Sequence, residues 1–198
     1  MKQIFADRIA QVREMMEKNG WDAVVITGSD PHSSEYPAAR WKQVEWLTGF
    51  TGEAGDVVVT ADHAGLWTDS RYFIQAITQL EGTGVELHKT RVPGAVSIED
   101  WLFEHASVVA VDGLCQSVGG VKAIASALGE EGTVISVPDI LSRLWEGRPS
   151  VPVTPVTTLD VQCFGGIPRM DKIRWMRKWM LMNGYYRVFL SSLDEIAW

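Results

Sequence analysis

The first twenty residues place hydrophobic side chains at every third or fourth position, at Phe5, Ile9, Val12 and Met16. That spacing predicts an amphipathic helix. The pair Asn19-Gly20 follows, and such a pair accommodates the left-handed backbone conformation with which many helices end. We therefore predict one helix that stops at Gly20 and packs a single face against a core.

Short hydrophobic runs alternate with helical patterns over the next 120 residues or so. We predict strands at 23–27, 85–89, 108–112 and 134–137, and a hairpin in which "DVVVT" and "GLWTD" flank "ADHA". We predict helices that begin near Arg71, at 98–105 with Ser97 as the cap, and at 121–128. The alternation indicates an α/β fold in which a mixed β-sheet carries helices on both faces.

The pattern changes after Arg148, where "RPSVPVTPVTTLD" has three prolines and no helical period. This composition is typical of an extended linker. Beyond it, the tail repeats the start of the chain at an offset of 164 residues, so that Ile9 matches Ile173 and Asn19-Gly20 matches Asn183-Gly184. The apolar run 24–26 then matches 188–190, which predicts a second strand. We infer that a second, homologous unit begins here and is truncated.

Composition and charge narrow the class of protein. The chain has 198 residues, of which 46% are hydrophobic, and its formal net charge is −7. A nucleic-acid partner is disfavoured, because such proteins usually present a basic face. The sequence contains no apolar run of the roughly 20 residues that would span a bilayer, and its charged N-terminus does not resemble a secretory signal. Two cysteines without CxxC spacing favour a reducing compartment, and we expect a cytoplasmic protein.

The four histidines are scattered, and no HExxH motif or histidine–cysteine cluster accompanies them. The sequence therefore predicts no metal site within this chain. We interpret each histidine as a turn or surface residue.

The stretch "GLWTDSRYFIQA" places three polar residues between a predicted strand and a predicted helix. Asp69 or Ser70 is placed to cap that helix, whose buried face would include Phe73, Ile77 and Leu80. A guanidinium at Arg71 would oppose the helix dipole, so it needs another explanation. Either Arg71 forms a surface ion pair with Asp69 or Asp22, or it serves to bind a ligand.

With these motifs in view, the chain resembles the N-terminal region of Xaa-Pro aminopeptidases in the creatinase/prolidase group. The matching pieces occur in the family's order and are "GSDPHSSEY", "WLTGFTGEAG", "LWTDSRYFIQA", "EDWL" and "SSLDEIAW". The resemblance is to the three-domain members, and it implies an N-terminal domain of the creatinase/prolidase type, with a ribonuclease H-like motif. Residues 1–155 would then be the first domain. Residues 156–198 would be a linker and the truncated start of a second, homologous domain.

The resemblance implies a function for the longer protein, which would remove the N-terminal residue that precedes a proline. Two divalent ions, typically manganese, would be held in a C-terminal catalytic domain, so this chain would contribute no catalytic residue and hydrolyse nothing alone. Partners would be peptides with proline in the second position, the protein's own catalytic domain and, as a further option, a second copy in a homodimer. No nucleic acid or membrane partner is expected.

The resemblance also assigns a site. The family's motif "WTDGRYF" associates its arginine with peptide binding, which here points to Arg71, although Ser70 replaces the usual glycine. Asp69, His32 and Glu35 are supporting candidates. Two alternatives stay open: a catalytically inactive peptidase-like module that binds protein partners, and a prolidase or creatinase. The repeat after residue 170 disfavours the second alternative, since those enzymes have a single N-terminal domain.

Overall fold

The computed structural model describes residues 2–164 and 166–198. The chain divides into two compact units, Met1–Val151 and Pro152–Trp198. Among the residues that the structure describes, no helix combines the length and the apolar character needed to cross a membrane.

The first unit is built on a six-stranded sheet with the strand order β4-β3-β2-β1-β5-β6. Its strands are β1 (Ala23–Ile26), β2 (Asp56–Thr60), β3 (Ala64–Thr68), β4 (Glu86–Lys89), β5 (Val108–Asp112) and β6 (Thr133–Val137). β2 pairs antiparallel with β1 and with β3, whereas β1–β5, β3–β4 and β5–β6 are parallel. The mixed sheet is confirmed.

Five helices flank this sheet: α1 (Gln3–Asn19), α2 (Gln43–Thr48), α3 (Phe73–Leu80), α4 (Ile98–His105) and α5 (Val118–Leu128). Alternate residues of β1 enter different cores, because successive side chains of a strand point to opposite faces. Val24 and Ile26 pack with residues of α1, α2 and α3, while Ala23 and Val25 pack with residues of α4 and α5. Helices therefore cover both faces, as the sequence predicted.

Helix ends follow the predicted chemistry in two cases. Gly20 ends α1 with a φ of 67°, and the Ser97 hydroxyl accepts a hydrogen bond from the Asp100 N–H at the start of α4. α5 begins at Val118, three residues before the predicted start, because Ser117 caps it through the Gly120 N–H.

The prediction for α3 was wrong in two respects. The helix begins at Phe73 without a side-chain cap, so Arg71 precedes the helix and neither Asp69 nor Ser70 caps it. Its buried residues are Ala76 and Leu80, whereas Ile77 is exposed. Leu80 is buried as predicted and Phe73 is half-buried, so the error lies at Ile77, whose place in the core is taken by Ala76.

The described residues of the second unit form three helices: α6 (Val161–Phe164), α7 (Arg169–Met182) and α8 (Leu193–Ala197). Gly184 follows α7 with a φ of 71°, close to the 67° of Gly20, as the repeat predicts for the Asn-Gly stop. The predicted strand at 188–190 was wrong, since these residues form no regular secondary structure. A strand needs a hydrogen-bonded neighbour, and the described part of this unit offers none.

Candidate functional site

Loops that leave β1 and β3 and the loop that enters β2 surround a pocket of about 320 Å³. Gly28 follows β1 at this pocket, and its N–H donates a hydrogen bond to the Asp56 carboxylate at 3.0 Å. Gly28 and Gly55 approach closely: a Cβ at Gly28 would lie 2.6 Å from the Gly55 carbonyl oxygen. The floor of the pocket therefore requires a glycine.

Acidic side chains dominate the lining of this pocket, where Glu35, Glu53 and Asp56 lie with Arg71. Burial raises the pKa of Asp56, which favours its neutral form relative to an exposed carboxyl. The pocket thus combines one guanidinium with acceptor groups, a combination suited to a ligand that carries both a carbonyl and an amine.

Arg71 is held by Asp69 through three hydrogen bonds. Asp69 Oδ1 accepts from the Arg71 backbone N–H at 3.1 Å and from Nε at 2.9 Å, and Oδ2 accepts from Nη2 at 2.8 Å. Of the two ion-pair partners considered for Arg71, Asp69 is the one observed, whereas a carboxylate oxygen of Asp22 accepts from the N–H groups of Ser107 and Val108. Asp69 therefore orients the guanidinium instead of capping a helix.

This pair stays charged over the physiological range. The hydrogen bonds and charge of Arg71 lower the pKa of Asp69 to about 2, and the Asp69 carboxylate raises the pKa of Arg71. The Asp69 side chain is 12% exposed and that of Arg71 is 66% exposed.

Two of the five guanidinium N–H donors of Arg71 are used by Asp69. The remaining three have no acceptor among the residues that the structure describes. Arg71 also lies over the Tyr72 ring, 5.3 Å from its centroid. The result is an exposed, oriented set of donors that matches a carbonyl or a carboxylate.

The polar loop after β1 brings only one of its two candidates to this pocket. Asp30 is buried and its Oδ1 accepts from the N–H groups of His32 at 2.8 Å and Ser34 at 2.9 Å, which fixes the loop. Glu35 lines the pocket beside Arg71. His32 is exposed and does not line it.

The described residues do not supply the paired carboxylates and histidines of a dinuclear metal site. Within 2–164 and 166–198, the single group of three or more His, Cys, Asp or Glu side chains placed to share an ion is His63, Glu86 and His88. None of these residues lines the Arg71 pocket.

The sequence reasoning missed this cluster. His63 does lie in the turn between β2 and β3, as expected, but the interpretation of His88 as a turn or surface residue was wrong, because His88 lies within β4. Both rings are partly buried, and His88 stacks on Trp67 with a centroid separation of 3.8 Å. A usable signal existed: Glu86 and His88 are two residues apart in a predicted strand, so their side chains share one face of the sheet.

Fold and pocket together define an α/β domain that offers a binding surface near the carboxyl ends of its parallel strands. Comparison with known proteins gives the family. Residues 8–144 match the model of the Creatinase/Prolidase N-terminal domain, and the chain belongs to this family.

Two curated relatives illustrate the likeness. The chain is 34% identical over 199 residues to the Probable Xaa-Pro aminopeptidase P of Botryotinia fuckeliana, covering 97% of this chain and 30% of the relative. It is 30% identical over 195 residues to Aminopeptidase P1 of Arabidopsis thaliana, covering 96% and 30%. The chain thus spans about 30% of the length of these relatives.

Two solved structures also resemble this chain. X-prolyl aminopeptidase from Caenorhabditis elegans, described as a cytosolic enzyme with a di-nuclear active site, superposes with a TM-score of 0.78 at 28% identity. The match covers 91% of this chain and 31% of that one. An Xaa-Pro aminopeptidase structure from Streptococcus pyogenes matches 73% of this chain and 100% of its own, with a TM-score of 0.58 at 23% identity, which supports the fold.

Proposed function

We propose that this chain is the non-catalytic N-terminal region of a metal-dependent Xaa-Pro aminopeptidase. Hydrolysis takes place in a C-terminal domain outside these residues, and the chain shapes access to that site and contacts the peptide. The observation that carries the proposal is the exposed Arg71 guanidinium, which Asp69 orients and which keeps three free donors. Similarity to longer Xaa-Pro aminopeptidases supports it.

In this proposal each residue of the pocket has a distinct role. Asp69 holds the guanidinium plane, and the free N–H groups of Arg71 donate to a carbonyl or carboxylate of the peptide. Glu35 and Glu53 lie in the same pocket and attract the ammonium group at the start of a peptide. We assign His32 no direct contact with the peptide, because it does not line this pocket.

The rest of the assignment concerns the longer protein. Two divalent ions, which we take to be manganese, would activate a water molecule in the catalytic domain. Residues 1–155 would form the first domain, and residues 156–198 would form a linker and the start of a second, homologous domain. We place the protein in the cytoplasm and keep a homodimer as a further proposal.

The first test measures kcat/KM of the full-length protein on a peptide with proline in the second position, comparing wild type with Arg71→Ala. Loss of a charged hydrogen bond to substrate should lower kcat/KM by about ten- to a hundredfold. Arg71→Lys should recover only part of that loss, because an ammonium does not reproduce the forked donors.

Arg143→Ala is the matched control, since Arg143 is exposed and does not line the Arg71 pocket. Unchanged kcat/KM in Arg71→Ala, with normal unfolding behaviour, would reduce Arg71 to a surface ion pair. If the full-length protein shows no hydrolysis with manganese present, the binding-module alternative replaces the peptidase.

A further inference from the structure

His63 and His88 meet at the edge of the sheet opposite β6. Their Nε2 atoms are 3.0 Å apart, and the Glu86 carboxylate lies 4.0 Å from His63 Nδ1. One potential ligand atom from each of the three residues falls within 4.8 Å of the others.

Strand register explains why these side chains converge. β3 and β4 are parallel, with Gly65 opposite Glu86 and Trp67 opposite His88. Residues two apart on a strand share a face, so Gly65 and Trp67 lie beside Glu86 and His88. His63 immediately precedes β3, and its ring lies next to Gly65. β4 is an edge strand of the sheet, so the cluster lies at that edge.

Gly65 makes room for the two imidazoles. A Cβ there would lie 2.7 Å from His63 Nε2, 2.7 Å from His88 Cδ2 and 2.6 Å from the Trp67 ring. Glycine normally weakens a strand interior, and here it permits close approach of the rings.

Aromatic packing fixes the rings while the carboxylate stays adjustable. His88 stacks on Trp67, and the His63 ring centroid lies 4.9 Å from that of Trp101. The His63 side chain is 19% exposed, whereas that of Glu86 is 74% exposed and has room to rotate.

We propose that His63, His88 and Glu86 form a binding site for a divalent transition metal of the zinc class. Two imidazole nitrogens and one carboxylate are a recognised zinc donor set, with water in the fourth position. The two Nε2 atoms are within hydrogen-bond distance of each other, and an ion bound by both would replace that hydrogen bond. Zn–N bonds of about 2.0–2.1 Å place tetrahedral nitrogens roughly 3.3 Å apart, so the rings would separate by only a few tenths of an ångström. The site lies outside the Arg71 pocket, so the proposal does not rest on the proposed peptidase function.

The test is calorimetric titration of Zn²⁺ into the 198-residue chain without a polyhistidine tag, near neutral pH. We expect saturable binding of one ion per chain. Glu86→Gln should weaken binding about tenfold or more, and His88→Gln should abolish it. His32→Gln, which changes an exposed histidine in the polar loop, should leave binding unchanged. Mg²⁺ should not compete, because it prefers oxygen ligands.

Thermal unfolding distinguishes a lost ligand from a misfolded variant. Excess Zn²⁺ should raise the Tm of the wild type and of His32→Gln but not of His88→Gln. Glu86→Gln alters an exposed side chain, so its fold should persist even if His88→Gln destabilises the chain. Absence of saturable binding in the wild type, or an affinity in Glu86→Gln and His88→Gln equal to that of the wild type, would overturn the site.

Discussion

At the scale of single residues, the contact between Gly28 and Gly55 determines the shape of the Arg71 pocket. The Gly28 N–H donates to Asp56, and a Cβ at Gly28 would meet the backbone of Gly55 and not the end of a flexible side chain. A side chain at Gly28 must therefore displace a loop, and that displacement would also move the pocket wall.

Gly28→Ala tests this contact. A Cβ placed 2.6 Å from the Gly55 carbonyl oxygen should lower the free energy of unfolding by about 1–3 kcal/mol, a typical cost of overpacking. The measurement is urea unfolding followed by circular dichroism.

Gly119→Ala is the control for Gly28→Ala. Gly119 lies within α5, where the nearest atom to an added Cβ is the Ser117 hydroxyl at 3.8 Å. Alanine there should raise the free energy of unfolding by up to about 1 kcal/mol, because alanine favours helix. The same sign for both variants would contradict the close-contact argument.

At the scale of secondary-structure elements, the pairing of β3 with β4 brings together two histidines, His63 and His88, whose pKa values are shifted. Burial lowers the pKa of His63 and of His88, and the charge of a protonated His63 would further oppose protonation of His88. Glu86 and Asp62 favour protonation of His63, whereas His105 and Arg13 oppose it. Desolvation is the largest of these effects.

The sign of the pH dependence follows from this shift. The unfolded chain binds protons at histidine near pH 6.5, whereas the folded chain resists them until lower pH. The contribution to stability is therefore complete above about pH 6.5 and is lost as the pH falls through the lowered folded pKa values. Unfolding free energy measured with a chelator present should fall more steeply with acidification in wild type than in a His63→Gln/His88→Gln double variant.

His32→Gln should retain the steep slope, since that ring is exposed and lies outside this cluster. Parallel pH profiles for the wild type and the double variant would show that the buried pair does not govern acid sensitivity.

Elements whose sequence carried a local signal were predicted well. Ser97 and the pattern of 98–105 gave α4 with its observed bounds, and Asn19-Gly20 gave the end of α1. The predictions failed where tertiary contacts determine the local structure. Asp69 binds Arg71 instead of starting a helix, and 188–190 has an apolar strand pattern but no strand to pair with.

The site was predictable only in part for the same reason. Arg71, Asp69 and Glu35 were predicted from motifs as site residues, and the structure places Arg71 and Glu35 in the lining of one pocket, with Asp69 bonded to Arg71. The His63–His88 contact depends on the parallel register of β3 and β4, which joins residues 25 apart in sequence. Periodicity within one strand does not reveal its partner or its register.

At the scale of the whole molecule, the two compact units differ in how they bury hydrophobic surface. Both clusters of buried residues belong to the first unit. In the second unit α7 has no buried residue, and the exposed fractions of Trp175 and Trp179 are 62% and 45%. Residues 151–160, which begin at the boundary between the two units, are exposed and have no regular secondary structure.

A chain ending at Val151 should therefore keep the stability of the first unit. We expect its Tm to lie within a few degrees of that of the full chain, because the cores that resist unfolding are retained. Limited proteolysis of the full chain should cleave first within 151–160, where an extended exposed backbone fits a protease active site. The matched control ends at Leu141, which removes Trp145 from its stacking on Trp46 and Arg148 from its ion pair with Asp139. That shorter chain should unfold at a clearly lower temperature, and equal losses for both truncations would mean that the second unit contributes to the stability of the first.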